Sequence, residues 1–375
     1  MPEPLAARPP RVMHFVTGGF SGATQVAIDL CRSAIARGDQ HVLLVLRKKA
    51  NTTPERLERL REQGIEVHVV AGWSHAATIW QLRHLCQQWR PDLLMAHGFS
   101  EHLWGRLAGL WAGVPHLVHI EHNARERYTW LRLRLARWLA KRTDAVVGVS
   151  EGVRQHLIGL GFAADQCIAI PNGIVLERFA AVGTRPWSER EPAVAMAARY
   201  SSQKDHATLI HAFALLAPQW PQTRLDLYGG GKKRWHKLAR HLIDTLGLAN
   251  QAQMHGHVAD MPEALSRHQV FVLSTHYEGI GLAVIEAMAC GCACIATDVV
   301  GVQELIEHGV TGLLVPENDP QALASAMAQL LANPHQAELM GKRARCHALS
   351  AHSHHKMQER YHQLVLCCLS RLPRR

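Results

Sequence analysis

This 375-residue chain is bounded first by what it lacks. No apolar run matches the roughly 20 residues that span a bilayer, so no membrane-spanning helix is expected. Residues 1–11 hold proline and arginine but no apolar core, which argues against a secretory signal. No Cys-x-x-Cys pair occurs, and the nine cysteines are an odd number without a framework of spacings. Reduced cytosolic thiols fit that pattern better than disulfides. Cys290, Cys292 and Cys294 alternate, yet they read as a small-residue strand after a helix rather than as a metal cluster. No Asp-x-Asp pair stands at a strand end to hold a divalent ion, and no short repeat or low-complexity segment is visible.

What is present is globular: 47% apolar and 19% charged residues, in a length that suits two domains of similar size. The formal charge is +10 and uneven. Residues 1–190 hold 24 lysines and arginines against 16 carboxylates, whereas residues 191–375 hold 17 against 15. The positive field of the first half suits anionic partners: phosphorylated lipids, a membrane surface or nucleic acid.

Short apolar runs alternate with helical patterns in both halves. Strands are expected at Val12–Val16, His41–Leu46, Val67–Val70, Leu93–Ala96, Leu117–Ile120 and Ala145–Val149, with helices between them, among them Ala23–Arg37. After Pro171-Asn172-Gly173 and an irregular stretch from Glu177 to Pro192, the pattern restarts. Strands at Ala193–Ala197, Arg224–Tyr228, Gln253–His255, Val270–Leu273, Cys294–Thr297 and Gly312–Val315 alternate with helices. Those helices include Gly281–Met288, Val302–Glu307 and Pro320–Leu331, and a last one covers roughly His352 to Leu372. Such alternation predicts α/β architecture: two Rossmann-like, doubly wound parallel sheets facing a cleft at their carboxyl ends. The expected division is 1–175, 176–350 and a C-terminal helix over 351–375, packing back on the first domain.

The most informative segment runs from Ser274 to Gly291. A buried strand ends at Leu273, a polar loop with Gly279 and Gly281 follows, and a helix starts near Gly281. The free amides of that helix start make an anion site, and the glycines let a ligand approach the backbone. Glu286, one and a half turns into the helix, can accept hydrogen bonds from a diol such as ribose, while Glu278 in the loop reaches another part of the same ligand.

This segment resembles the family 4 glycosyltransferases of the GT-B fold, of the bacterial polysaccharide and lipopolysaccharide type. The match is Glu278, seven residues, Glu286, then Ala-Met-Ala-Cys-Gly, a small-residue strand, and Gly-Val-Gln-Glu-Leu-Ile-Glu-His-Gly-Val-Thr-Gly-Leu-Leu-Val over 301–315. The resemblance implies a donor-binding second domain. There Glu286 would hold the ribose hydroxyls, Glu278 would touch the transferred sugar, and the amides of Gly281, Leu282 and Ala283 would bind its hydroxyls or the diphosphate. Arg199 and Lys204, five residues apart after a strand, match the pair that clamps the donor phosphates. Gly230, in Tyr228-Gly-Gly-Gly-Lys232, matches a glycine turn, and His257 and Val258 lie in the segment whose backbone reads the base. In the acceptor-binding first domain, Gly18 and Gly19 match a turn that approaches the donor phosphates. His122 matches a histidine that contacts the sugar; its bland alternative is a hydrogen-bonded structural histidine. His97 and Glu101 are acceptor-side candidates. Glu278, His122, Arg199 and Lys204 are the candidates for catalysis. Pro171-Asn172-Gly173 is expected to be a hinge without substrate contact.

The implied reaction is a retaining transfer from a nucleoside diphosphate sugar, uridine slightly favoured over guanosine, without cofactor or metal. Cations and a helix start would stabilise the leaving diphosphate. The expected acceptor is a saccharide, lipid-linked, in lipopolysaccharide, O-antigen or exopolysaccharide synthesis. A sugar-nucleotide-binding protein without activity and a GT-B epimerase are the competing readings. The stretch Arg125 to Arg142 carries Arg125, Arg127, Arg132, Arg134, Arg137, Lys141 and Arg142 with Trp130 among them. It is either a solvated basic face or a peripheral contact with an anionic membrane, at the inner face of the cytoplasmic membrane. A nucleic-acid partner is not expected, since only charge speaks for one.

Overall fold

The computed structural model describes residues 8–124 and 128–373. The chain forms two compact units, one made of residues 1–171 and 356–375, the other of residues 172–355.

The first unit contains β1 (Arg11–Thr17), α1 (Gly22–Arg37), β2 (His41–Arg47), α2 (Pro54–Glu62), β3 (Glu66–Val70), α3 (His75–Trp89), β4 (Leu93–His97), α4 (Phe99–Ala112), β5 (His116–Glu121), α5 (Trp130–Ala140), β6 (Ala145–Gly148), α6 (Glu151–Gly159) and β7 (Cys167–Ala169). The second contains α7 (Glu177–Ala180), β8 (Glu191–Ala197), α8 (His206–Leu216), β9 (Leu225–Tyr228), α9 (Lys233–Thr245), β10 (Ala252–Gly256), α10 (Met261–Ser266), β11 (His268–Leu273), α11 (Leu282–Ala289), β12 (Ala293–Thr297), β13 (Leu313–Val315), α12 (Pro320–Ala332) and α13 (Pro334–Ala351). From Lys356 onward α14 (His354–Leu369) belongs to the first unit.

Both sheets are parallel throughout. Their orders are β3-β2-β1-β4-β5-β6-β7 and β10-β9-β8-β11-β12-β13. Strands β4, β5 and β12 are buried along their whole length, and β2 beyond His41, which is why they read as nearly unbroken apolar runs. In the first unit Met13, Phe15, Leu43, Val45, Leu94 and Leu117 meet Leu82, Cys86 and Ala108 from α3 and α4. Helix α4 lies against this sheet through Gly105 and Gly109. A Cβ at Gly105 would stand 2.7 Å from the Phe15 ring, and one at Gly109 would stand 2.7 Å from Leu94. Helix starts are fixed locally: Ser74, Thr129 and Ser150 in the first unit, and Asp205, Asp260 and Asp319 in the second, each accept an amide of the first turn. Among the described residues no helix is long and apolar enough to cross a membrane.

Besides the short β7 and α7, to which the sequence reading assigned no element, two longer segments differ from it. The helix expected at Val302–Glu307 is a run of turns. Gly301 and Gly309 sit at φ +82° and +78°, and Thr311 Oγ1 takes the Glu307 amide at 2.9 Å, so the segment closes in single turns although Val302, Leu305 and Ile306 are buried. The sequence also assigned no element to residues 334–351, where α13 forms and lies beside α11 and β12. The three alternating cysteines are buried, and only Cys294 lies within a strand. Their thiols face separate carbonyls, those of Pro262, Leu265 and Cys292.

Candidate functional site

A doubly wound sheet opens a crevice at the carboxyl end where the strand order reverses. The reversal falls between β1 and β4 in the first unit and between β8 and β11 in the second. Gly18, Gly19, His97 and Glu101 follow β1 and β4, and Arg199, Lys204, Glu278 and the start of α11 follow β8 and β11; His122 after β5, Gly230 after β9, and His257 and Val258 after β10 lie to the side of these points.

In the second unit the loop after β11 is laced to the 3-10 turn Ser202–Lys204 that follows β8. Thr275 Oγ1 and the His276 amide donate to the Gln203 carbonyl at 3.0 and 2.9 Å, and the Gln203 side chain donates to Tyr277 O at 2.7 Å. Ser274 Oγ donates to Asp205 O at 2.9 Å. The lacing carries the Lys204 ammonium onto the carboxylate of Glu278, and both side chains are largely buried. Arg199, from the same loop, is exposed and has no hydrogen bond or ion pair among the described residues.

Gly279 and Gly281 are buried against the loop after β12. A Cβ on Gly301 would stand 2.6 Å from Gly279 O, and Gly301 O accepts the Gly281 amide at 3.0 Å. The Leu282 amide turns to Ile280 O at 2.7 Å, so Gly281 and Leu282 spend their N–H groups inside the loop. Among the described residues the amides of Gly279, Ile280 and Ala283 make no hydrogen bond. They are the donors left at the start of α11, where helix polarity also favours an anion. Glu286 is half-buried on this helix. Burial pushes its carboxyl pKa up, and the Arg178 guanidinium pulls it partly back. Gly230 lies against the His257 ring: a Cβ there would stand 2.4 Å from His257 Nε2, so a side chain at this position would turn the exposed imidazole aside. His257 is exposed and Val258 half-buried beside this turn.

In the first unit Gly18 faces the loop after β2. Its amide donates to Arg47 O at 2.8 Å, and a Cβ would stand 2.3 Å from Thr52 Oγ1. Gly19 donates to Thr17 Oγ1 at 3.3 Å. His97 is buried at the end of β4, between His14 and His122: His14 Nδ1 lies 3.1 Å from its Nε2, and His122 Nε2 lies 3.3 Å from its Nδ1. Burial lowers His14 and His122 to about 4 and His97 well below the ordinary range, so all three are neutral at pH 7. Glu101 is buried and paired with Arg47 at 3.4 Å, with Ser100 Oγ donating to its other oxygen at 2.9 Å.

Beside His122 the sequence reading missed a buried polar network. Arg106 donates to His102 Nδ1 at 2.8 Å. A guanidinium only donates, so His102 carries its proton on Nε2 and directs it to the Tyr128 hydroxyl at 3.0 Å. That hydroxyl donates to Glu121 Oε2 at 3.2 Å. A buried cation and a buried carboxylate are thereby joined through two neutral rings, and burial lowers Arg106 to about 10. His102, His119 and Glu121 do offer ligand atoms within 4.8 Å of one another. However, both His102 nitrogens are spent, its ring stacks on His119 at 3.8 Å, and Arg106 supplies the positive charge already. The signals for this network were His102 and Arg106, one turn apart on a helix that is apolar beyond its first turn apart from Arg106. For the histidine chain the signal was His14 amid an apolar strand.

Residues 20–178 match the family described as Glycosyltransferase Family 4, and residues 182–347 match Glycosyl transferases group 1. The chain is 25% identical over 340 residues to the lipopolysaccharide core biosynthesis glycosyltransferase LpsE of Rhizobium meliloti, which covers 86% of this chain and 89% of LpsE. It is 37% identical over 194 residues to an exopolysaccharide phosphotransferase of Streptomyces coelicolor, half of this chain but only 20% of that protein. Anabaena HepE in complex with UDP superposes with a TM-score of 0.82 at 21% identity, over 96% of this chain and 100% of that one. HepE is also known in complex with UDP-glucose. Two parallel-sheet units with polar loops at their reversal points, matched over most of their length, define a glycosyltransferase of the GT-B fold. The chain belongs to the family 4 glycosyltransferases.

Proposed function

We propose that this enzyme takes a sugar from a nucleoside diphosphate sugar and transfers it with retention to a saccharide of a bacterial surface polysaccharide. The observation that carries the reading is the Lys204–Glu278 pair beside the open amides of Gly279, Ile280 and Ala283, with Glu286 one turn further on. In this reading Lys204, Arg199 and the start of α11 stabilise the leaving diphosphate. Glu278, held in place by the Lys204 ammonium, accepts a sugar hydroxyl, and Glu286 accepts the ribose diol. A poorly solvated carboxylate gains most from such donors. His122 contacts the sugar. The acceptor hydroxyl attacks from the face the diphosphate leaves, and a donor phosphate oxygen takes its proton. The uridine complexes of HepE favour a UDP-sugar, and the name of LpsE supports a lipopolysaccharide or related acceptor.

A lipid-linked acceptor fits the surface of the first unit. Trp73, Trp80, Trp111, Trp130 and Trp138 are exposed there, half of the chain's ten tryptophans. Arg134 lies over Trp130 and Arg142 over Trp138, at 5.6 and 4.9 Å. Helices α3 and α5 carry no carboxylate. Tryptophan with arginine suits the headgroup layer of an anionic membrane. Arg125 and Arg127 lie outside the described residues.

The test is a thermal-shift and turnover panel of uridine, guanosine and adenosine diphosphate sugars. Stabilisation by a UDP-sugar, lost in Lys204→Ala, is expected; stabilisation by none of the three would overturn the donor reading. The product's anomeric configuration, read by NMR, decides retention, and turnover in EDTA decides the metal question. Sedimentation with anionic but not neutral vesicles, lost in Trp130→Ala/Arg134→Ala, is expected for the membrane contact.

A further inference from the structure

The chain His14–His97–His122 runs from beneath the first sheet's helices to the carboxyl end of β5. Its two links use alternating nitrogens: Nδ1 of His14 to Nε2 of His97, then Nδ1 of His97 to Nε2 of His122. A neutral imidazole bears one proton, so each ring offers one donor and one acceptor. Suppose His14 donates through Nδ1. Then His97 accepts on Nε2, carries its proton on Nδ1 and donates to His122, whose proton must sit on Nδ1. Reverse the first link and all three protons move to Nε2. No mixed assignment keeps both hydrogen bonds.

We propose that His97 and His14 are positioning residues that fix the tautomer of His122, the three rings acting as one unit in which every proton sits on the same-named nitrogen. His122 then presents its remaining nitrogen to a hydroxyl either as a donor or as an acceptor, and a residue two rings away decides which. Its consequence for transfer rests on the proposed contact between His122 and the sugar; the tautomer coupling itself does not. A hydroxyl held by a fixed acceptor keeps one orientation, whereas a ring free to exchange tautomers would hold it in two. At the far end, His14 lines a small cavity with Tyr361 and His362 of α14, so the unit reaches from that helix to the sheet's carboxyl edge.

The experiment is a long-range proton–nitrogen NMR spectrum of the full chain labelled with ¹⁵N-histidine, at pH 7.5, where all three rings are neutral. The signals are assigned by His14→Gln, His97→Gln and His122→Gln. All three rings are expected on the same-named nitrogen. His97→Phe is expected to turn the single form of His122 into a mixture, with the melting curve showing a folded protein. Unlike tautomers among the three, or a His122 signal unmoved by His97→Phe, would overturn the proposal. Should His97→Phe not fold, His14→Phe reads the same coupling from the other end and must change His97 and His122 together. In transfer assays His14→Phe is expected to lower kcat about tenfold, the worth of one hydrogen bond, with nucleoside diphosphate affinity unchanged. An unchanged kcat beside the expected spectra would remove His122 from the sugar and leave the coupling standing.

Discussion

At the scale of single residues, two carboxylates of the second unit live under opposite conditions. Glu278 has a cation beside it, so removing Lys204 strands a buried charge. Lys204→Ala should destabilise the protein by up to about 3 kcal/mol, and Lys204→Ala/Glu278→Ala should recover most of that loss while transfer stays abolished. Denaturant melts of the two variants check it, and equal stabilities would show the pair to be energetically idle. Glu286 has its pKa raised by burial. The sign follows: the unfolded chain gives up this proton first, so the group's contribution to stability falls as pH rises from 4.5 through the raised folded pKa. Glu286→Gln should therefore melt at a higher temperature than wild type at pH 7 and bind a nucleoside diphosphate sugar more weakly. A variant that melts lower would contradict the desolvation account. Glu278 and Glu286 stand out in the sequence because their spacing falls in a strand–loop–helix setting, and that setting is what the fold shows. Gln203 was not: its task is to bind backbone groups some 70 positions away, and no local pattern records such a partner.

At the scale of elements, the loops after β11 and β12 hold each other. Gly301 combines φ +82° with a carbonyl 2.6 Å from where its Cβ would be. Gly301→Ala must push residues 278–279 aside, which costs roughly 1–3 kcal/mol and disperses the amide donors. Loss of nucleotide-dependent thermal stabilisation, with circular dichroism near native, is the expected result; undiminished stabilisation would mean the loop tolerates the shift. The central strands were legible from the sequence because both faces are buried, whereas β7, only three residues long, was not. The false helix at Val302–Glu307 shows the limit of that logic. Buried apolar residues at near-helical spacing look the same whether a helix or a tight chain of turns delivers them, and the deciding atoms are one hydroxyl and two glycines. Helix α13 was missed for the converse reason, since its buried face is made of Ala337, Gly341, Ala344 and Ala348 with Met340, too small a stripe to read as apolar.

At the scale of the whole molecule, the first unit stores neutral histidines. His14 and His122 are lowered to about 4, and His97, His102 and His119 lie well below their ordinary value of 6.5. Unfolding frees them to take up protons below pH 6.5, so stability is full above that value and is lost as pH falls towards 4. The loss is about 1.4 kcal/mol per pH unit for each proton taken up. Hydrogen exchange of β1, β4 and β5 amides at pH 7 and 5.5 should show the decline, with a shallower slope in His14→Phe; a flat profile would contradict the burial of these rings. The same unit is closed by α14, whose Met357, Tyr361, Val365 and Cys368 are buried and whose Gln358 donates to Asp29 O at 3.2 Å. The chain leaves this unit at Pro171 and re-enters it at Lys356. On the ribosome, then, the first sheet emerges early but waits for its covering helix until the whole second unit has been made. The half of the enzyme synthesised first is the half completed last, and its apolar flank against α14 is what a chaperone would meet in the interval.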